Sequence, residues 1–255
     1  MQVIDLGCET TKERRMLLAG VGFVVDAAAP LALLGPSGAG KSLALRCLLG
    51  LAPADLRVTG RVRFNEEEAS LADRARLAAW RGRRITLMPQ AAAASLDPVR
   101  TVGRQLSEVL RVHDNREDSA ERLLELVGLD ASTFCERVPL ELSGGQAQRA
   151  ALALALACRP AVLLADEPTA SLDNVAQAQL LKMVKDVCEA RGVGLVLVTH
   201  DLAVAASVCR RAVVLAEGRM VEEGEMSAIV AAPRHTTTQA LVAAARRVDA
   251  SWGLA

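Results

Sequence analysis

Residues Gly35-Pro36-Ser37-Gly38-Ala39-Gly40-Lys41-Ser42 space two glycines, a lysine and a serine as GxxxxGK[ST], a pattern suited to holding phosphate. The glycines let backbone N–H groups turn inward around an anion, and a helix starting near Lys41 offers its positive end to the same charge. Lys41 would add a point charge at β- and γ-phosphates, and the Ser42 hydroxyl would ligate Mg²⁺. A second string, Val162-Leu163-Leu164-Ala165-Asp166-Glu167, runs four apolar residues into two acids. A buried strand of that kind delivers carboxylates to its C-terminal end, where α/β sheets place ligands. Asp166 is then the expected Mg²⁺ partner, and Glu167 the base that orients and deprotonates an attacking water. Read alone, the acidic pair could also do no more than cap the next helix.

These groups need elements to position them. Leu31–Leu34 reads as a strand ending in the glycine loop, and Leu43–Leu51 has helical spacing, which is the strand-loop-helix context the phosphate pattern requires. Val21–Val25, Arg61–Phe64 and Arg84–Met88 read as further strands, while Gly103–Val112 and Glu117–Val127 have apolar residues at three- and four-residue spacing and read as helices. From Gln146 a helix runs to Cys158; a buried strand at Ala161–Ala165, a helix at Val175–Ala190, a strand at Gly194–Thr199, a helix from Asp201 and a hairpin at Glu217-Gly218 follow. The expected fold class is α/β, with a mostly parallel sheet and helices on both faces.

The string Leu142-Ser143-Gly144-Gly145-Gln146 sets this chain apart from other phosphate-loop proteins. A serine and two glycines before a helix make a second anion-binding N-terminus. The chain already has one for its own nucleotide, so a second makes sense if it serves the nucleotide of another subunit.

Whole-chain properties narrow the class. At 255 residues the chain can bury a sizeable core, and 51% hydrophobic against 24% charged residues is ordinary for a globular protein. Thirty basic residues balance thirty acidic ones, so no net field favours a polyanion, and nucleic acid is not an expected partner. Met1–Thr10 lacks a basic leader and carries Asp5 and Glu9, so no secretory signal is expected. Apolar stretches such as 150–158 and 161–165 are interrupted by Arg159, short of the roughly 20 residues a spanning helix needs. The six cysteines show no CxxC pattern and read as reduced core thiols; His113 and His235 read as surface residues.

Taken together, these strings resemble the ABC transporter ATPase family over nearly the whole chain. The phosphate loop 35–42, Gln90 after a strand, the signature 142–146, Asp166-Glu167, Ser171-Leu172-Asp173 and His200 follow the family's order and spacing. The resemblance implies a P-loop NTPase (RecA-like) core with an inserted all-helical subdomain: 1–90 and 150–232 as the ATP-binding core, 91–149 as the helical part ending in the signature, and 233–255 as a tail. It implies ATP and Mg²⁺ as ligands and ATP hydrolysis to ADP and phosphate. Gln90 would touch Mg²⁺ and water and sense the permease, and His200 would contact the γ-phosphate. Ser143, Gly144, Gly145 and Gln146 would bind the partner's ATP, with Ser171–Asp173 crossing the dimer interface. Implied partners are integral membrane permease subunits, a second ATPase subunit (a heterodimer expected, a homodimer open) and, indirectly, a solute-binding protein. The implied location is cytoplasmic, peripheral on the inner face of the cell membrane.

Relatives usually stack adenine on an aromatic ring some two dozen residues before the phosphate loop, where this chain has Thr10-Thr11-Lys12-Glu13-Arg14. Aliphatic or Arg14 contacts would have to serve instead. The segment 94–105 and the tail 232–241 are similar to importers of peptides and nickel, and Thr236, where peptide importers usually carry Tyr, leans toward the nickel branch. Soluble ABC ATPases of DNA repair or translation, the alternative reading, typically carry coiled-coil insertions or tandem nucleotide domains. A P-loop kinase or GTPase would lack the signature string.

Overall fold

A computed structural model describes residues 1–27, 29–170 and 172–251. The chain divides into two compact units, one of residues 1–80 with 196–255 and one of residues 81–195. The first unit opens with β1 (Gln2–Thr10), β2 (Met16–Val24) and β3 (Leu31–Leu34), then α1 (Lys41–Leu48), β4 (Leu56–Phe64), β5 (Glu67–Ser70) and α2 (Arg74–Trp80). β1 pairs antiparallel with both β2 and β4, and β4 with β5. All four residues of β3 are buried, as expected of a strand covered on both faces.

The second unit holds β6 (Ile85–Met88), α3 (Val102–Val112), α4 (Ala120–Leu126), the single turn α5 (Ala131–Phe134), α6 (Gly144–Ala157), β7 (Val162–Asp166) and α7 (Asn174–Arg191). β6 and β7 pair in parallel, with Met88 opposite Ala165. α6 is buried along most of its length, largely through alanines that allow close approach of its neighbours α3 and α4.

One ion pair fastens the turn before α4 to the end of α7. Arg191 donates from Nη1 and Nη2 to the two oxygens of Asp118 at 3.0 and 2.7 Å, and Asn115 Nδ2 donates to Asp118 Oδ2 at 3.0 Å and to Ala157 O at 2.9 Å. Partial burial acts to raise the Asp118 carboxyl, but the Arg191 and Asn115 hydrogen bonds outweigh it and hold the group below the usual carboxylate range. A depressed folded-state value means stability that is present above the unfolded carboxylate value and lost as pH falls through the folded one. The Asp118 side chain is 10% exposed. Asp118→Asn should therefore destabilise the protein by about 3 kcal/mol at pH 7, by leaving Arg191 uncompensated. Urea denaturation should show the gap to wild type narrowing as pH drops below about 4. An equal gap at both pH values would contradict the ion-pair account.

The chain returns to the first unit along β8 (Gly194–Thr199), followed by α8 (Leu202–Val208), β9 (Arg211–Ala216), β10 (Arg219–Glu225), α9 (Met226–Ala231) and α10 (Thr236–Ser251). The expected hairpin is present: Glu217 and Gly218 both lie in the left-handed region, at φ 48 and 74°, as a two-residue type I′ turn demands. β3 runs parallel to both β8 and β9, so the strands beside the glycine loop are parallel and the antiparallel strands lie toward the edge beyond β10.

Candidate functional site

In the first unit, β3 stops at Gly35 and the chain wraps through Gly40 into α1. Gly40 is the helix N-cap at φ 99° and offers no side-chain cap to the first turn of α1. A Cβ at Gly40 would lie 2.6 Å from Leu18 Cδ2, so only glycine fits there. Lys41 is buried, and its Nζ donates to Gly35 O at 2.7 Å and Pro36 O at 3.0 Å. The loop's own carbonyls thus hold the ammonium within it, while the adjacent Ser42 is exposed. Helix dipole and ammonium both favour one anion of phosphate size.

His200 belongs to the same unit and is exposed directly after β8. The Thr199 hydroxyl accepts the Asp201 N–H at 3.0 Å, and Asp201 Oδ1 caps α8 by accepting from Ala203 N at 2.8 Å and Val204 N at 3.2 Å. His200 is therefore pinned between two fixed neighbours.

In the second unit the β6–β7 register brings Gln90 and Glu167 together, each two residues beyond the paired Met88 and Ala165. Gln90 Nε2 donates to Glu167 Oε2 at 3.3 Å. Asp166 ends β7, half-buried. Glu167 follows at φ 44°, a left-handed conformation that costs a non-glycine residue about 1 to 3 kcal/mol and that turns its side chain out of strand alternation.

The signature string caps α6. Ser143 Oγ accepts Gln146 N at 3.3 Å and Gln146 Oε1 accepts Ser143 N at 2.9 Å, a reciprocal capping box. A Cβ on Gly144 or Gly145 would meet nothing within 4 Å. Internal packing therefore does not require these glycines. Further along, Asp173 caps α7 through Ala176 N at 2.9 Å. Ser171, expected at a dimer interface, lies outside the described residues.

Two histidines differ from the surface reading. His113 is half-buried with its ring against Gly82, where a Cβ would come within 2.2 Å of Cε1, and His235 is half-buried with Nδ1 accepting from Thr237 N at 3.1 Å. All six cysteines are free thiols, and burial pushes those of Cys47 and Cys188 up to about 12, so they stay protonated.

The family profile described as ABC transporter matches residues 18–170. The chain belongs to the ABC transporter family. A probable peptide ABC transporter ATP-binding protein, y4tR, from Sinorhizobium fredii is 38% identical over 88% of this chain and 70% of its own length. The glutathione import ATP-binding protein GsiA of Escherichia coli O1:K1 / APEC is 39% identical over all of this chain, which spans 43% of GsiA. Among solved structures, the dimeric post-hydrolysis ATP-binding cassette MJ0796, bound to ADP and Pi, aligns with a TM-score of 0.73 and 28% identity, covering 89% of this chain and 99% of that one. The ABC protein described here is an ATP-binding cassette of the P-loop NTPase fold and an ABC-type ATPase. Transport relatives disfavour the alternative of a repair or translation ATPase. Among the described residues, no helix is long and apolar enough to cross a membrane.

Proposed function

We propose that this ABC ATPase drives solute import through a separate membrane permease, working peripherally on the cytoplasmic face. The observation that carries its catalytic part is the Gln90–Glu167 contact just beyond Asp166. In this reading Gly35–Ser42 grips the phosphates of ATP, with Lys41 as the charge. Glu167 takes a proton from the attacking water, and Gln90, bonded to it, aligns that water. His200 steadies the γ-phosphate, and Ser143–Gln146 read the ATP of a second cassette. Ser42, Asp166 and Gln90 all offer oxygen, the donor type Mg²⁺ takes, and are the residues that would hold it. The metal would supply charge neutralisation at the β- and γ-oxygens.

The names of the relatives, one a peptide transporter protein and one a glutathione importer, support a peptide-class solute. In this reading a solute-binding protein delivers it and a second, different ATPase completes the pair. Thr236 in the tail favours nickel as the second reading. Uptake of labelled di- and tripeptides or of Ni²⁺ by membrane vesicles holding the complete transporter separates the two, and ATP-dependent uptake of neither would overturn both. Residues 91–149 would form the helical part between two stretches of ATP-binding core, with 233–255 as the tail.

Lys41→Ala should weaken ATP binding about 10- to 100-fold, since it removes a charged donor from ground-state phosphates. Calorimetric titration of the variant with ATP measures this directly, and unchanged affinity would take Lys41 out of the phosphate site.

A further inference from the structure

The tail segment 232–241 is fastened at one carboxylate. Glu222 of β10 accepts the Arg234 N–H at 3.1 Å on Oε1 and 3.2 Å on Oε2, and the His235 N–H at 3.1 Å on Oε2. The Thr238 hydroxyl is fully buried near the same carboxylate, outside hydrogen-bond geometry. These N–H groups lie immediately before α10, so a side chain from a strand neutralises a helix start that local capping would normally serve. Partial burial acts to raise the Glu222 carboxyl, but Thr238 and the N–H groups of His235 and Arg234 outweigh it, so the group stays ionised.

Farther along, Arg246 Nη2 donates to Val230 O at 3.2 Å, tying α10 to α9. Between these anchors Thr238, Leu241, Val242 and Ala245 form one buried or half-buried stripe at helical spacing. α10 packs against α8. α8 has only seven residues, too few to persist without tertiary support, and its N-cap Asp201 adjoins His200. Support for α8 comes from β3 on one side and from α10 on another.

We propose that Glu222 is a positioning residue for ATP hydrolysis: by fixing the start of α10 against α8, it holds the Asp201-capped turn that presents His200. This rests on the reading of His200 as the γ-phosphate contact. The coupling path lies wholly within the first unit.

Glu222→Gln keeps the side chain's size and removes its charge. In the assembled transporter it should lower kcat about fivefold while leaving KM for ATP within about twofold, since neither α10 nor α8 grips the nucleotide. Hydrogen exchange on the full chain should quicken in residues 236–247 and also in 202–208. If Glu222 acts through His200, adding Glu222→Gln to His200→Ala should bring little further loss; fully additive losses would overturn the proposal. Wild-type hydrolysis by His200→Ala alone would sink the reading of His200 and this role with it. An impaired His200→Ala beside a silent Glu222→Gln would sink the positioning role only. Should Glu222→Gln fail to fold, Glu222→Asp, which keeps the charge and shortens its reach to the Arg234 and His235 N–H groups, gives the same test. Faster exchange in α10 with α8 and kcat untouched would refute the link.

Discussion

Glu167→Gln should bind ATP as tightly as wild type and lose about 10²-fold or more of its hydrolysis, the range for removing a positioned proton acceptor. The division follows from the local geometry. Lys41 sits at the start of α1 in the glycine loop, its Nζ held by the loop carbonyl of Gly35, a place suited to gripping ground-state phosphates. Glu167 lies past the end of β7 in a left-handed conformation and is bonded to Gln90. Maintaining a strained backbone at a carboxylate makes sense if the side chain must point where strand alternation would not aim it. An amide of the same size can still meet Gln90, so the substitution removes basicity with little rearrangement. Single-turnover hydrolysis beside equilibrium ATP binding separates the two quantities: a kcat deficit with intact affinity identifies a group acting after binding. Near-normal turnover would remove Glu167 from the mechanism, and a parallel loss of affinity would make it a binding residue.

The sequence was informative where chemistry is local and less so where it depends on pairing. The phosphate loop, the signature cap and the Glu217-Gly218 hairpin are contiguous strings whose backbone demands can be read residue by residue. β1 gave no such signal because Asp5, exposed at φ 51°, interrupts its alternation, and the register with β2 shifts on both sides of Leu6. The same irregularity crosses into β4, where a Cβ on Gly60 would lie 2.5 Å from Asp5 O. The sequence pattern therefore marks β4 only from Arg61, although the strand runs from Leu56. α4 starts at Ala120 instead of Glu117 because Asn115 Oδ1 accepts the N–H groups of Glu117 and Asp118 and Ser119 then caps the helix. At the site, the bond between Gln90 and Glu167 joins residues 77 apart and follows only from the register of β6 on β7. Glu222 stayed hidden for the same reason, as a strand carboxylate whose partners come 12 and 13 residues later.

Ser143→Arg should lower ATP hydrolysis about 10²-fold at the composite site that this signature completes, the size of effect expected when a preorganised donor surface for developing phosphate charge is blocked. Ser143→Ala should cost only about 1 kcal/mol of helix stability through its lost cap, and so isolates folding from function. The difference arises because Gly144 and Gly145 leave open backbone that a guanidinium at position 143 would cover. In the proposed reading α1 offers its N-terminus to the ATP at Lys41, so a second phosphate-reading helix start, capped by Ser143 and carrying Gly144 and Gly145, makes sense if it serves a second nucleotide. Two cassettes related by a two-fold or pseudo-two-fold axis meet that need, each offering its 143–146 string to the other's phosphate loop. ATP then favours the closed pair only by as much as it binds that state more tightly, and hydrolysis releases it. If the cassettes are identical, mixing a Ser143→Arg subunit with a Lys41→Ala subunit places both defects on one composite site and leaves the other whole, so partial activity returns. If each ATP were served by signature and loop of the same chain, both sites would be damaged and no activity would return. In an obligate heterodimer, Ser143→Arg in this chain alone should disable the site on the partner's loop and leave the partner's signature serving Lys41. Full ATPase activity of Ser143→Arg in the complete transporter would refute the shared site for this chain.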